Sequence, residues 1–301
     1  MAEPGPRVAM EPGGRTVLLD AATGTALRAR GLPDEAFPEE WVLARPEEVE
    51  AVHAAHVRAG AEVVLSCTFN AARPERRDLD RELEGLCARA VRLGRAAARS
   101  GTAGARARVC VAGCVGATGL VAGDGRGPPD RELLERFSRP FRALAAAGAD
   151  LLWTETHVSP RESRAAVAAA RRTGRPVAAT VFIVDGVDGP GALDGTPALE
   201  WLRALWLDGA RIVGVNCVLP GPSLAGLVAR AAAAVPVPLA VKPNAGPAGD
   251  PQPPFRFAAA TAAAVRAGAR LAGGCCGTGP SHLRALAAML RRGWAPPQAR
   301  G

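Results

Sequence analysis

Short runs rich in Val, Ile and Leu alternate along this chain with longer stretches in which Ala and Leu recur at helical spacing among Arg and Glu. Eight of the short runs read as strands, at 16–20, 62–67, 108–113, 150–155, 176–183, 211–217, 237–243 and 269–275. Helical stretches separate and follow them, at 47–59, 79–99, 130–147, 160–173, 197–208, 222–234, 257–267 and 280–292. The strand runs are continuously apolar rather than alternating, as in strands covered on both faces. Pro46-Glu47-Glu48 and Pro280 mark helix starts. Gly60, Gly148, Gly174, Gly209 and Gly268 mark helix ends. Four of these glycines share one exit: RAGAEVV (58–64), AAGADLL (146–152), LDGARIV (207–213) and RAGARLA (266–272).

Eight strand–helix units with buried strands predict a single-domain α/β fold, a (β/α)8 TIM barrel, over 16–293. Residues 1–15 and 294–301 are expected to be flexible ends, and 121–130 and 246–255 to be Gly/Pro/Asp-rich loops. A doubly wound open sheet fits less well, because no Gly-rich dinucleotide loop follows the first strand.

Composition narrows the chemistry. The chain has 301 residues, 48% of them hydrophobic but only 4% aromatic, with no Tyr. Its core must therefore rest on Ala, Val and Leu, and nothing suggests an aromatic platform for nucleic acid. The net charge of +8 comes from arginines scattered over helix-like segments, which reads as a solvated basic surface. No apolar run approaches the roughly 18 residues of a membrane span. The start, MAEPGPRVAM, does not read as a signal peptide, so the seven cysteines are expected to be reduced and cytoplasmic. Metal binding or catalysis then becomes a better expectation for them than disulfides.

In a barrel of this kind, chemistry sits at the carboxyl ends of the strands, where the unusual residues of this chain fall. Cys217 follows the sixth strand and the vicinal pair Cys275-Cys276 follows the eighth, within GGCCGTGP (273–280). Two adjacent thiolates on a flexible glycine turn, with a third from a nearby strand end, suit one soft metal ion and leave zinc an open position. The same three residues also fit plain packing, since free Cys is often a small buried hydrophobe. Lys242, the only lysine, stands at the end of the seventh strand, where a Schiff-base lysine of an aldolase would stand. The cysteines would then have no role.

The segment GGCCGTGPSHL resembles the zinc-binding signature of the homocysteine S-methyltransferase family, and VGVNC resembles that family's third-ligand segment. TVLLDAATGTALRARG, HAAHVRAGAEVVLSCTFNAAR, VAGCVGATG, DLLWTET and LDGTPALEWL resemble its earlier units in order, so the likeness runs from about Thr16 to Leu290. CTFNAAR and KPNAG look closer to the homocysteine-binding barrel of cobalamin-dependent methionine synthase. The resemblance implies a barrel that binds Zn2+ through Cys217, Cys275 and Cys276, activates homocysteine as a thiolate and methylates it to methionine. It places Asp20 and Glu155 at the substrate ammonium. Asn216, just before Cys217, is expected to anchor the ligand loop, with direct contact to the substrate as the alternative. Ala21 stands where the family usually has Gly, and Cys67 where many members have Asn. The methyl donor is open among S-methylmethionine, S-adenosylmethionine, betaine and a methyl-corrinoid on a separate partner protein. A non-catalytic thiol-binding module serving such a corrinoid protein is the alternative. Cys114 and His157 lie at strand ends without an assigned role, whereas Cys87, Cys110, His53, His56 and His282 read as packing residues.

Overall fold

The computed structural model describes residues 15–73, 81–101, 109–187, 189–246 and 251–291. Apart from Arg15, the two expected flexible ends lie outside these residues. Eight parallel strands form one sheet: β1 (Val17–Leu18), β2 (Val63–Leu65), β3 (Cys110–Gly116), β4 (Leu151–His157), β5 (Val177–Val181), β6 (Ile212–Asn216), β7 (Leu239–Lys242) and β8 (Ala269–Ala272). Each pairs with its neighbours in sequence, and β1 pairs with β8. The β1–β2 seam is closed by one bridge, Leu19 to Val63, and by a 2.7 Å bond from the Glu62 amide to the Leu18 carbonyl. Two side chains reinforce it, with Leu18 N donating to Glu62 Oε1 at 3.2 Å and Leu65 N to Asp20 Oδ2 at 2.9 Å. The result is the expected (β/α)8 barrel.

Two apolar layers result from the alternation of side chains along each strand. Val17, Leu19, Val63, Leu65, Ala112, Ala178, Ile212, Ala240 and Leu271 fill the barrel with Trp153. The alanines leave room for that one indole, which is fully buried and donates to Thr180 Oγ1 at 3.0 Å. The opposite strand faces meet helices through residues such as Leu18, Val64, Val111, Leu152, Val213 and Val241. Trp201 sits in this outer layer and donates to Ser163 Oγ at 2.8 Å.

The glycine exits work as expected. At Gly148 the chain turns with φ 86° and Ala149 N bonds back to the Leu144 carbonyl, so the next strand enters the sheet directly. The structure differs from the expectation before the first expected helix, 47–59, and after β5. Residues 21–45 form two short helices, Thr23–Arg28 and Pro38–Ala44, too brief to show a helical repeat. A two-stranded ribbon pairs Val184–Gly186 with Gly189–Gly191 beyond the end of β5. The first strand is also shorter than 16–20, and the eighth stops at Ala272, leaving the cysteine turn outside the ladder.

Two glycines separate conformational strain from steric exclusion. At Gly148 a Cβ would meet nothing within 4 Å, so Gly148→Ala should cost only the left-handed backbone, roughly 1–2 kcal/mol. At Gly214 a Cβ would lie 1.9 Å from the Ala240 carbonyl oxygen, so Gly214→Ala should prevent the β6–β7 pairing and give no folded protein. Denaturant unfolding of both variants checks this; equal destabilisation would contradict the assigned causes.

Candidate active site

The strand ends meet around one cavity of about 240 Å³, lined by Asp20, Phe69, Glu155, Cys217, Lys242, Cys275 and Cys276 among others. Three connections hold its rim. Gly273 allows the exits of β8 and β1 to touch: a Cβ there would lie 2.6 Å from the Asp20 carbonyl oxygen, and Gly274 N donates to that oxygen at 3.0 Å. The cysteine turn is then tied to β7, with Cys275 N donating to Pro243 O at 2.8 Å and Ala245 N to Cys276 O at 2.9 Å. Thr278 Oγ1 donates to Cys275 O at 2.6 Å and accepts from Ala22 N at 3.3 Å. His282 secures the following helix start, its Nδ1 accepting from Gly279 N at 3.2 Å, which is the packing role expected of it.

The three expected metal-ligating cysteines come together, with ligand atoms within 4.8 Å of one another and Cys217 Sγ 3.7 Å from Cys276 Sγ. Cys217 adopts φ 59°, a left-handed conformation unusual for a side-chain-bearing residue. Its amide bonds Lys242 O at 3.0 Å and its carbonyl accepts from Asn244 Nδ2 at the same distance, which keeps that backbone in place. Thr156, at φ 61°, is the other such residue among those described. Asn216 joins the two strained positions: its Oδ1 accepts from Thr156 N at 3.0 Å and its Nδ2 donates to Thr156 Oγ1 at 2.5 Å. Its amide also lies 3.9 Å from Cys275 Sγ. Asn216 is fully buried, and the structure thus gives it a positioning role behind the thiols.

Contacts with the Cys217 and Cys275 thiols lower the Cys276 pKa, while contacts with Cys275 and then Cys276 push Cys217 up. Three sulfurs gathered at one point are a donor set that fits a soft cation, whose binding would displace their protons.

The same cavity is lined by two carboxylates and a lysine. Lys242 Nζ lies 3.2 Å from Asp20 Oδ1 and 3.5 Å from Glu155 Oε2, with its side chain only 5% exposed. Burial alone would lower the lysine pKa, but Asp20 and Glu155 outweigh it and hold the ammonium above the ordinary lysine range. A Schiff-base lysine needs a free amine open to a carbonyl, whereas this ammonium is paired with two carboxylates, which argues against the aldolase alternative. Burial raises the Glu155 pKa and Lys242 opposes it. Cys114, kept protonated by burial and by Glu155, donates to Glu155 Oε1 at 3.1 Å. The sequence motif did not reveal these Lys242 and Cys114 contacts; a lone lysine at a strand end was the one signal available.

The other candidates fall outside the cavity or in its wall. His157 is buried between Thr154, Glu162 and the Phe137 ring. Cys67 lines the cavity but is buried, and burial pushes its thiol well above the ordinary range. Cys87 and Cys110 are core residues. His53 and His56 are fully buried; burial, reinforced at His53 by its neighbour and at His56 by Lys242, lowers them to about 4 and about 3.

A model of the homocysteine S-methyltransferase family matches residues 17–290. The chain is 30% identical to homocysteine S-methyltransferase YbgG of Bacillus subtilis (strain 168), over 91% of this chain and 94% of that protein. It is 33% identical to the homocysteine S-methyltransferase of Escherichia coli (strain K12), over 90% of this chain and 94% of that protein. Among solved structures, the metallated form of the homocysteine methyltransferase MmuM from Escherichia coli superposes with a TM-score of 0.77 at 28% identity, covering 92% of this chain and 96% of that chain.

The two histidines make stability pH-dependent. Their folded pKa values lie below the ordinary value near 6.5, so the folded state binds fewer protons than the unfolded chain. Their contribution is complete above about pH 6.5 and is lost as pH falls, by about 1.4 kcal/mol per unit for each histidine. Unfolding free energies at pH 7 and pH 5 should fall less steeply for the His53→Gln, His56→Gln double variant than for the unaltered protein. Identical slopes would contradict neutral burial.

Proposed function

The chain belongs to the homocysteine S-methyltransferase family and is a methyltransferase acting on homocysteine; from that premise we propose that Cys217, Cys275 and Cys276 hold zinc and that Glu155 and Asp20 form the amino-acid end of the site. One observation carries this reading: three clustered thiols and a buried carboxylate pair line the same small cavity. Homocysteine has the matching layout, with a thiol at one end and an ammonium at the other. Zinc held by three thiolates supplies an open position for a fourth sulfur and lowers the pKa of a thiol bound there.

The protein's own residues do the positioning. The carboxylate end fixes the substrate ammonium through charge-assisted bonds. Phe69 covers part of the cavity wall, and Gly116 makes that possible, because a Cβ there would lie 2.3 Å from the ring. Cys276 lies on the exposed side of the cysteine group, which is the side we assign to the approaching donor. The substrate sulfur attacks the donor's methyl carbon in line; the carbon–sulfur bond of methionine forms as the donor–methyl bond breaks, with the electron pair leaving on the donor. Holding both partners in this line is the main contribution asked of the fold.

All seven cysteines are free, and we place the protein in the reducing cytoplasm. No helix among the described residues is long and apolar enough to cross a membrane. The donor is the remaining choice. Methionine formation from homocysteine by the zinc-loaded protein, with S-methylmethionine, S-adenosylmethionine, betaine or a methyl-corrinoid protein in turn, identifies it.

Metal analysis tests the ligand set. The Cys217→Ser, Cys275→Ser and Cys276→Ser proteins should each lose nearly all bound zinc, and methyl transfer with it. Cys87→Ser, in the core, should keep both. Full zinc retention in the first three would reject the assignment.

A further inference from the structure

Lys242 is the sole lysine of the chain, and its ammonium is buried between two carboxylates from other strands. Their remaining partners are neutral. Asp20 takes the Leu65 amide, and Glu155 takes the Cys114 thiol. His53 and His56 lie close to Asp20 but are kept uncharged by burial. Glu39, in the cavity wall, is engaged separately by the amide and side chain of Asn70. The floor trio of Asp20, Glu155 and Lys242 therefore carries two negative charges and one positive, one negative in sum.

The two carboxylates are not equivalent. Asp20 is nearer the ammonium and its side chain is 2% exposed, whereas that of Glu155 is farther and 12% exposed. We propose that Lys242 is a positioning residue that neutralises Asp20, leaving Glu155 as the single acceptor for the ammonium of a zwitterionic amino-acid substrate. This rests on the homocysteine reading above and divides the work between two carboxylates that the family resemblance treats alike. Without Lys242, two carboxylates within roughly 7 Å of one another would be buried without a counter-ion, a strongly unfavourable arrangement. With Lys242 but without Asp20, the ammonium would turn wholly to Glu155 and compete with the substrate.

The assignment predicts an asymmetric rescue. Lys242→Met should raise the KM for homocysteine roughly tenfold or more, with a smaller effect on kcat. Asp20→Asn should also weaken binding. The Asp20→Asn, Lys242→Met double variant restores the charge of the floor and should bind homocysteine more tightly than either single variant, a coupling that a packing role would not produce. Glu155→Gln, Lys242→Met has the same net charge and should show no rescue. Zinc content reports whether each variant is folded at the mouth, and Lys242→Gln replaces any Lys242→Met protein that fails this check.

Rescue through Glu155→Gln, rescue in neither double variant, or unchanged KM in Lys242→Met would each overturn the proposal while the parent protein still bound homocysteine. Absence of homocysteine binding by the zinc-loaded parent would overturn the functional reading itself, and the proposal with it.

Discussion

The buried contact between Lys242 and Asp20 ties distant parts of this protein together. It joins residues 222 positions apart and holds the ends of β7 and β1 together at the barrel mouth, with Glu155 of β4 as third member. Buried charges persist only when paired and hydrogen-bonded, and removing one partner of such a pair typically costs about 3–5 kcal/mol. Asp20 also accepts the Leu65 amide across the β1–β2 seam, where the ladder has a single bridge. One carboxylate thus helps close the barrel, fixes the lysine and shapes the amino-acid end of the cavity.

The thiol end follows a different logic, in which backbone strain is held by local bonds. Thr156 and Cys217 occupy left-handed conformations on facing strand ends, and Asn216 ties them together. Across the mouth, Gly273 lets the β8 exit lie against Asp20, and Thr278 fixes the cysteine turn. These contacts make the position of the sulfurs a property of four strand ends rather than of one flexible loop. Such precision is what group transfer demands, because small misplacements of reacting atoms cost large factors in rate.

The barrel was legible in the sequence because its signals are local and repeated. Buried strands and helical spacing recur in each unit, glycine exits in five of the eight, and GGCCGTGP announces its turn through residue types alone. The helices Thr23–Arg28 and Pro38–Ala44 were not legible, since six or seven residues are too few to display a period. The anchoring role of Asn216 was legible from its place beside Cys217, but its partner Thr156 lies 60 residues away and needed the fold. Lys242 stood out by its rarity and position while its chemistry stayed hidden, because a lysine prepared for Schiff-base formation and one locked in an ion cluster look alike until the neighbouring strands are known.

The central claim is that the three cysteines meet the substrate sulfur through zinc. X-ray absorption at the zinc edge, recorded before and after homocysteine is added, tests it most directly. The account predicts a change from three sulfurs and one light atom to four sulfurs at about 2.3 Å. A three-sulfur spectrum that persists at saturating homocysteine would contradict it.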